Sequence, residues 1–183
     1  LVEKGKSQFA GPEIKGKTLG IIGLGAIGAL VANAAIALGM QVVGTDPFLS
    51  VGAALRLNPA VKIVKDSDGV FAAADYLTIH VPFNNDTKGM INAETIAKMK
   101  DGVRVLNYAR GELVNDDDML AALASGKVTC YCTDFPNEKT CNAEGIIATP
   151  HLGASTPESE ENCASMAAEE LISYLETGNI RNS

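Results

Sequence analysis

The sequence has little positive charge and no long hydrophobic run, and both absences narrow the functions open to the chain. Lysine and arginine number 15 against 22 aspartate and glutamate residues, which gives a net charge of −7. The chain therefore lacks the basic surface with which proteins bind nucleic acids and anionic membranes. No apolar stretch approaches the length that crosses a bilayer, and no signal peptide opens the sequence. These absences predict a cytoplasmic protein without nucleic-acid or membrane partners.

Cysteine and histidine are scarce, with four and two residues. No two cysteines have C-x-x-C spacing, so the sequence predicts no metal site; a site built from the cysteines and a distant histidine is the weaker alternative. Cys130 and Cys132 are two apart in a predicted strand and share a face. We expect the cysteines to be reduced core thiols. No serine lies in a nucleophile-elbow motif, which leaves covalent hydrolysis without support.

A glycine motif is the most informative feature that is present. Residues 18–28 read TLGIIGLGAIG, in which a short apolar run gives way to Gly23, Gly25 and Gly28. The first glycine permits a tight strand-to-helix turn, the second lets the backbone approach a pyrophosphate, and the third lets the helix pack closely on its strand. The helix start then presents free amides to the anion. The motif predicts a dinucleotide-binding turn.

The segment after the motif has the spacing of an amphipathic helix that Gly39 can end. The stripe predicted to face the core consists of Ile27, Leu30, Val31, Ala34, Ala35 and Leu38.

Asp46 follows the next strand, eighteen residues beyond Gly28. A carboxylate at this distance can accept hydrogen bonds from the adenosine ribose hydroxyls. It favours NAD over NADP, because the extra phosphate of NADP would meet a fixed negative charge with no lysine or arginine in residues 47–50 to offset it. The alternative is that Asp46 only begins a turn with Pro47.

Apolar runs alternate with helical patterns along the whole chain, which is typical of repeated strand–helix units. Strands are predicted at Thr18–Ile22, Gln41–Thr45, Val61–Val64, Tyr76–His80, Val103–Asn107, Thr129–Thr133 and Ile146–Ala148. Helices are predicted at Ala26–Leu38, Val51–Leu57, Asp66–Ala73, Ala93–Lys98, Asp116–Ser125 and Pro157–Thr177. The fold class is therefore α/β: a doubly wound parallel sheet of about seven strands, a Rossmann fold, in a single domain.

The last helix carries a stripe with an acidic opposite face, and we expect another surface to cover this stripe. Its members are Cys163, Met166, Ala167, Glu170, Leu171, Tyr174 and Leu175.

Three side chains in loops after strands suit the oxidation of a 2-hydroxy acid by NAD. Arg110 can bind a carboxylate with two parallel hydrogen bonds, and His151 can exchange the hydroxyl proton, since histidine is the residue type suited to proton transfer at neutral pH. Glu138 can orient the imidazole and favour its charged form. Each residue alone is equally typical of an exposed arginine, a turn carboxylate or a loop histidine. His80 is interpreted as structural, with Val81 and Pro82 extending the chain along the cofactor.

The chain resembles the nucleotide-binding domain of the D-isomer-specific 2-hydroxyacid dehydrogenases. The resemblance covers nearly the whole chain and rests on IGLGAIG from Ile22, HVPFNNDTKGMI from His80, NYARGELV from Asn107, TDFPNE from Thr133 and TPHLGAST from Thr149. It implies that Arg110, Glu138 and His151 are catalytic and that Asp134 faces the nicotinamide amide. The residues predicted to contact NAD are Gly23, Gly25, Ala26, Ile27, Gly28, Asp46, His80, Val81, Pro82, Thr87, Tyr108, Ala109, Arg110, Asp134, His151, Gly153 and Ala154.

The resemblance also implies a domain organisation and a substrate. Residues 1–183 form the NAD-binding domain, with 1–15 as a lead-in from an absent substrate domain and 156–178 as a helix that returns to it. The nearest branch of the family oxidises 3-phosphoglycerate, a phosphorylated 2-hydroxy acid, on the way to serine, and its members form homo-oligomers. We expect the isolated chain to bind NAD but to turn over slowly. The alternatives are a hydroxypyruvate or glyoxylate reductase and an NAD-sensing module of corepressor type.

Overall fold

A computed structural model describes residue 5 and residues 10–180 of the chain. Residues 1–4 and 6–9 of the predicted lead-in lie outside the described residues. The chain divides into two compact units, Leu1–Thr149 and Pro150–Ser183, and each is described by itself.

The first unit is built on a sheet of seven parallel strands. They are β1 (Thr18–Ile22), β2 (Gln41–Thr45), β3 (Lys62–Ile63), β4 (Tyr76–Ile79), β5 (Val103–Asn107), β6 (Val128–Thr133) and β7 (Ile146–Ala148). Their spatial order is β3-β2-β1-β4-β5-β6-β7, and every adjacent pair is parallel. The predicted doubly wound fold is confirmed. The order reverses between β1 and β4, where a ligand crevice forms outside the carboxyl ends of the strands.

Helices lie close to where the spacing predicts them. They are α1 (Ala26–Ala37), α2 (Val51–Ala54), α3 (Ser67–Ala73), α4 (Ala93–Ala97), α5 (Asp116–Ala124) and, in the second unit, α6 (Pro157–Thr177). A single 3₁₀ turn at Gly111–Leu113 was not predicted. The strand β3 is shorter than predicted, because it pairs only with Val43 and Gly44 of β2 at the edge of the sheet.

The residues that cap the helices are those that the sequence predicts: polar side chains at the starts and a glycine at the end. Asn115 accepts hydrogen bonds from the amides of Asp117 and Asp118 at the start of α5. Thr156 accepts one from the amide of Ser159 ahead of Pro157. Gly178 closes α6 in the left-handed region at φ 71°.

Two apolar clusters cover the two faces of the sheet. The larger includes Phe71 of α3 and Met119 of α5, packed with Leu77 and Val105 of the strands. The smaller joins Ala32 of α1 to the other face. This two-sided coverage explains why β1 is apolar on both faces.

The predicted stripe of α1 is wrong for its large apolar residues, although Ala35 of the same stripe is buried. The buried residues of this helix are Gly28, Ala29, Ala32 and Ala35. Ile27, Leu30 and Leu38, by contrast, are between 61% and 69% exposed. The physical reason is the close approach at Gly28, which admits only small side chains on the face that meets the sheet.

The second unit consists mainly of α6, and none of the residues in this helix is buried. Met166, Leu171, Tyr174 and Leu175 of the predicted stripe are more than half exposed. No helix among the described residues is long and apolar enough to cross a membrane.

Candidate functional site

The glycine loop joins β1 to α1 at the crevice between β1 and β4. Gly23 has φ +92°, a backbone conformation that residues with a side chain rarely adopt. A Cβ at this position would lie 2.5 Å from the carbonyl oxygen of His80. A Cβ on Gly28 would overlap the carbonyl oxygen of Gly23. A Cβ on Gly25 would meet nothing within 4 Å. Two of the glycines are therefore required by packing, whereas Gly25 faces open space.

Gly25 is also the residue before the first turn of α1, and no side chain of the described residues caps this helix. The first amides of a helix have no partners within the helix. Together with the helix dipole, they form a site that favours an anion at the point where Gly25 leaves room for one.

Asp46 follows β2 and holds the glycine loop in place. One carboxylate oxygen accepts a hydrogen bond from the Leu24 amide at 2.9 Å, and the other accepts one from the Phe48 amide at 2.9 Å. The second bond is the turn that the alternative interpretation predicted. Asp46 nevertheless also lines the cavity beside Gly25, so it can serve both roles.

Two adjoining cavities run along the carboxyl ends of the strands, and His80, Val81 and Pro82 line both of them. We call them together the groove. The first cavity, of about 670 Å³, is lined by Ile22, Gly23, Gly25, Thr45, Asp46, Pro47, Phe48, Lys65, Asp66, Ser67, Asn84, Thr87 and Met90 besides the shared residues. The second, of about 580 Å³, is lined by Ile27, Phe83, Tyr108, Ala109, Arg110 and Glu112 besides the shared residues.

His80 lies where the two cavities join. Its Nε2 is 3.1 Å from Thr78 Oγ1, and its amide donates to the Ile22 carbonyl at 2.7 Å. Burial lowers the pKa of His80, because the charged imidazolium loses its hydration. The neutral ring and its local bonds agree with the structural role that the sequence predicts.

Arg110 stands at the far end of the groove, in the loop after β5. Its guanidinium lies over the ring of Phe135 at 5.9 Å from the centroid and donates to the Ala109 carbonyl at 2.6 Å. Arg110 is an exposed residue, and a guanidinium carries five N–H donors. A cation in this position can bind a carboxylate that enters the groove.

Asn107 positions this loop, a role that its sequence context did not predict. It is fully buried, and its side chain donates to the Arg110 carbonyl at 2.8 Å and accepts from the Ala109 amide at 3.2 Å. A further bond of 3.3 Å reaches the hydroxyl of Tyr131. The signal was its place at the end of a strand within the same motif as Arg110. Phe135, which supports the guanidinium, gave no such signal.

Asp134 follows β6 and is 9% exposed. Its Oδ1 is buried without a hydrogen-bond partner among the described residues. A buried carboxylate oxygen costs free energy unless a donor reaches it, so such an atom indicates a ligand donor such as an amide N–H.

Of the remaining predicted residues, Glu138 lies outside the groove lining and three belong to the second unit. Glu138 is exposed and lines neither cavity, and the residues on either side of it are bound to the start of α5: Asn137 to Asp116 at 2.7 Å and Lys139 to Asp117 at 2.8 Å. His151, Gly153 and Ala154 are exposed residues of the second unit. The structure brings together the predicted glycine loop, Asp46, residues 80–82, Thr87 and the Arg110 loop, but it does not bring Glu138 to them.

These features fit a dinucleotide. Open space at Gly25 beside the start of α1 suits a pyrophosphate, Asp46 suits a ribose, and the unpartnered oxygen of Asp134 suits a carboxamide. A family model supplies the deciding observation, because residues 2–153 match the D-isomer specific 2-hydroxyacid dehydrogenase, NAD binding domain.

The chain belongs to this family. Its fold is that of the family's NAD-binding domain, and its cofactor is NAD. The predicted resemblance is confirmed.

Proteins with similar sequences carry the names of two enzymes. The chain is 39% identical to D-3-phosphoglycerate dehydrogenase of Bacillus subtilis (strain 168) over 94% of its length and 33% of that protein. It is 36% identical to hydroxypyruvate reductase of Thermotoga maritima over 93% of its length and 56% of that protein. The chain thus spans about a third of the phosphoglycerate dehydrogenase it matches.

A solved structure shows the same fold. The crystal structure of a glyoxylate reductase from Paecilomyes thermophila matches with a TM-score of 0.81 and 32% identity, covering 93% of this chain and 53% of that one.

Proposed function

We propose that this chain is the NAD-binding part of an enzyme that oxidises D-3-phosphoglycerate to 3-phosphohydroxypyruvate, a step toward serine. The observation that carries the reaction class is Arg110, an exposed guanidinium at the end of a groove that begins at the glycine loop. The similarity to D-3-phosphoglycerate dehydrogenases from several organisms, at 35–39% identity, supports the substrate.

The proposed roles follow from the chemistry of each side chain. Bound NAD would supply the acceptor for the hydride. Arg110 orients the substrate carboxylate with two parallel hydrogen bonds, and His151 accepts the hydroxyl proton. Glu138 stabilises the charged imidazole. Gly25, Asp46 and Asp134 hold the pyrophosphate, ribose and carboxamide of the cofactor.

The test of these roles uses the full-length protein with D-3-phosphoglycerate and NAD. Arg110→Lys keeps the charge but loses the planar fork, so we expect kcat/KM to fall by about a hundredfold or more while NAD affinity changes little. Arg104→Lys is the matched control, because Arg104 lies at the opposite end of β5 over Tyr76 and should leave kcat/KM unchanged. Equal activity of Arg110→Lys and wild type would contradict the proposal.

A second candidate is a reductase of hydroxypyruvate or glyoxylate, and the relatives with those names favour it. The two candidates differ in whether the substrate carries a phosphate. We expect the full-length protein to prefer 3-phosphohydroxypyruvate over hydroxypyruvate in kcat/KM. The reverse preference would support the reductase and leave the roles of Arg110 and His151 intact.

We further propose that the whole protein is a homo-oligomer. Leu30 and Leu38 of α1, at 69% and 62% exposed, support an apolar contact between copies. Sedimentation equilibrium of the full-length protein should give a multiple of the monomer mass, and a monomer at micromolar concentration would contradict this.

A further inference from the structure

Strand β6 carries two cysteines on one face with their sulfurs close together. Cys130 Sγ and Cys132 Sγ are 3.8 Å apart, and neither residue is fully buried. All four cysteines of the chain are free, but Cys141 and Cys163 are exposed rather than in the core, which corrects the expectation for these two. The pair at β6 is therefore a juxtaposed dithiol to which the proposed function assigns no role.

The neighbours of the pair leave it approachable. Cys130 lies opposite Arg104 of β5, and Cys132 lies between Leu106 of β5 and Ile147 of β7. Ile147 is 55% exposed, so the edge of the sheet beside Cys132 is open.

The geometry suits a bridging atom better than a disulfide. Residues two apart in a strand have Cα atoms separated by about 6.6 Å, and disulfides in which Cα atoms are that far apart stand at the upper limit of the observed range, with sulfurs about 2 Å apart. By contrast, a single atom bonded to both sulfurs bridges them without an S–S bond, so the sulfurs can stay farther apart than about 2 Å.

The bridging atom must bind with only these two sulfurs as protein ligands. No group of three or more histidine, cysteine, aspartate or glutamate side chains among the described residues could hold a metal ion, so four-coordinate zinc lacks its remaining ligands. Burial and the neighbouring Cys130 raise the pKa of Cys132 to about 11, which keeps its thiol protonated at neutral pH and slow in thiolate chemistry. A partner that exchanges with protonated thiols without oxidation fits best.

We propose that Cys130 and Cys132 form a two-thiol binding site for trivalent arsenicals. An organoarsenical of the form R–As(OH)₂ condenses with the pair: two As–S bonds form, two As–O bonds break, and each thiol proton leaves on a hydroxide as water. Arsenic stays trivalent, so no oxidant or reductant is needed.

The test treats the reduced chain with one equivalent of phenylarsine oxide and then alkylates the remaining thiols. Tryptic cleavage after Lys127 and Lys139 places both cysteines of the pair on one peptide, residues 128–139. We expect this peptide to escape alkylation while Cys141 and Cys163 are modified. A dithiol should restore its alkylation, whereas a monothiol at the same concentration should not.

Variants separate the pair from the other cysteines. Cys130→Ser and Cys132→Ser should each lower the affinity for phenylarsine oxide by about a hundredfold, because one ligand of a chelate is lost. Cys141→Ser and Cys163→Ser are matched controls that should bind like wild type. Unchanged binding in Cys130→Ser or loss of binding in Cys141→Ser would overturn the proposal. So would a disulfide between Cys130 and Cys132, which mass spectrometry would detect as the loss of two hydrogens from peptide 128–139.

Discussion

Single residues in the glycine loop divide into those that the fold requires and one that the ligand requires. Gly23 and Gly28 sit where a side chain would strike backbone atoms, whereas Gly25 borders open space at the groove. The spacing of the motif predicts the same division, with the turn at Gly23, the approach of a ligand at Gly25 and helix packing at Gly28. The structure therefore separates stability from binding within one motif.

The first prediction tests this separation. Gly28→Ala should destabilise the protein by about 2 kcal/mol, because its Cβ overlaps the Gly23 carbonyl and strand and helix must move apart. Gly25→Ala, at φ −66°, should keep the melting temperature but bind NAD about tenfold more weakly. Thermal unfolding and calorimetric NAD titration measure the two effects. Equal loss of stability in both variants would contradict the division.

The second prediction concerns the neutral His80. Because its folded pKa lies below its ordinary value, the unfolded chain binds the proton more readily, and stability falls as pH drops below about 6.5. Asp75 affects stability at lower pH. Burial raises its pKa, but hydrogen bonds from the Thr18 amide and Lys100 lower it further, so the stability that Asp75 contributes is lost only below about pH 3.8.

Urea unfolding between about pH 5 and 7 measures the slope of stability with pH. His80→Gln should flatten this slope. A slope that persists unchanged in His80→Gln would show that His80 is not its source.

At the scale of elements, the loop after β5 is shaped by a buried side chain rather than by a helix or strand. The Asn107 side chain accepts a hydrogen bond from the Ala109 amide and donates one to the Arg110 carbonyl. It thereby supplies partners for backbone groups that no longer pair with a neighbouring strand once β5 ends. This arrangement presents Arg110 to the groove.

The third prediction is that Asn107→Ala lowers both stability and substrate use. We expect a loss of about 1–3 kcal/mol in unfolding free energy, because buried backbone groups lose their partners, and a larger fall in kcat than in NAD affinity in the full-length protein. Asn33→Ala is the matched control, since Asn33 makes two similar bonds to Arg56 and Asn58 away from Arg110. An unchanged kcat in Asn107→Ala would contradict its positioning role.

For the whole molecule, an acidic chain must bind an anionic cofactor through local features. The net charge of the chain is −7. Within the groove, however, Gly25 at the start of α1 and Asp46 after β2 line the same cavity. Backbone amides attract the pyrophosphate, and the carboxylate of Asp46 repels an additional phosphate.

The fourth prediction is that NAD, but not NADP, stabilises the chain. NAD at a hundredfold excess over Kd should add about 2.7 kcal/mol to the unfolding free energy. Asp46→Asn should narrow the ratio of NAD to NADP affinity by about tenfold, because the repelling charge is removed while one acceptor for the Leu24 or Phe48 amide remains. Differential scanning fluorimetry with both nucleotides measures this. Equal stabilisation of wild type by NADP would show that Asp46 does not select the cofactor.

The order of strands and helices was predictable because hydrophobic periodicity reports burial within one segment. Strands β1, β2, β5 and β7 have the predicted bounds. The face of α1 was not predictable in the same way, because large apolar residues normally face the core, and here the close approach at Gly28 reserves that face for alanines.

Local sequence determined where the strands, helix caps and glycine turn of this protein lie, because each depends on neighbours within a few residues along the chain. Only the tertiary structure decided that the buried Asn107 reaches Tyr131, that the guanidinium of Arg110 lies over Phe135 and that Asp134 keeps an oxygen without a partner among the described residues. These features arise between segments far apart in sequence, and their distances follow from sheet register and packing, which no local pattern encodes.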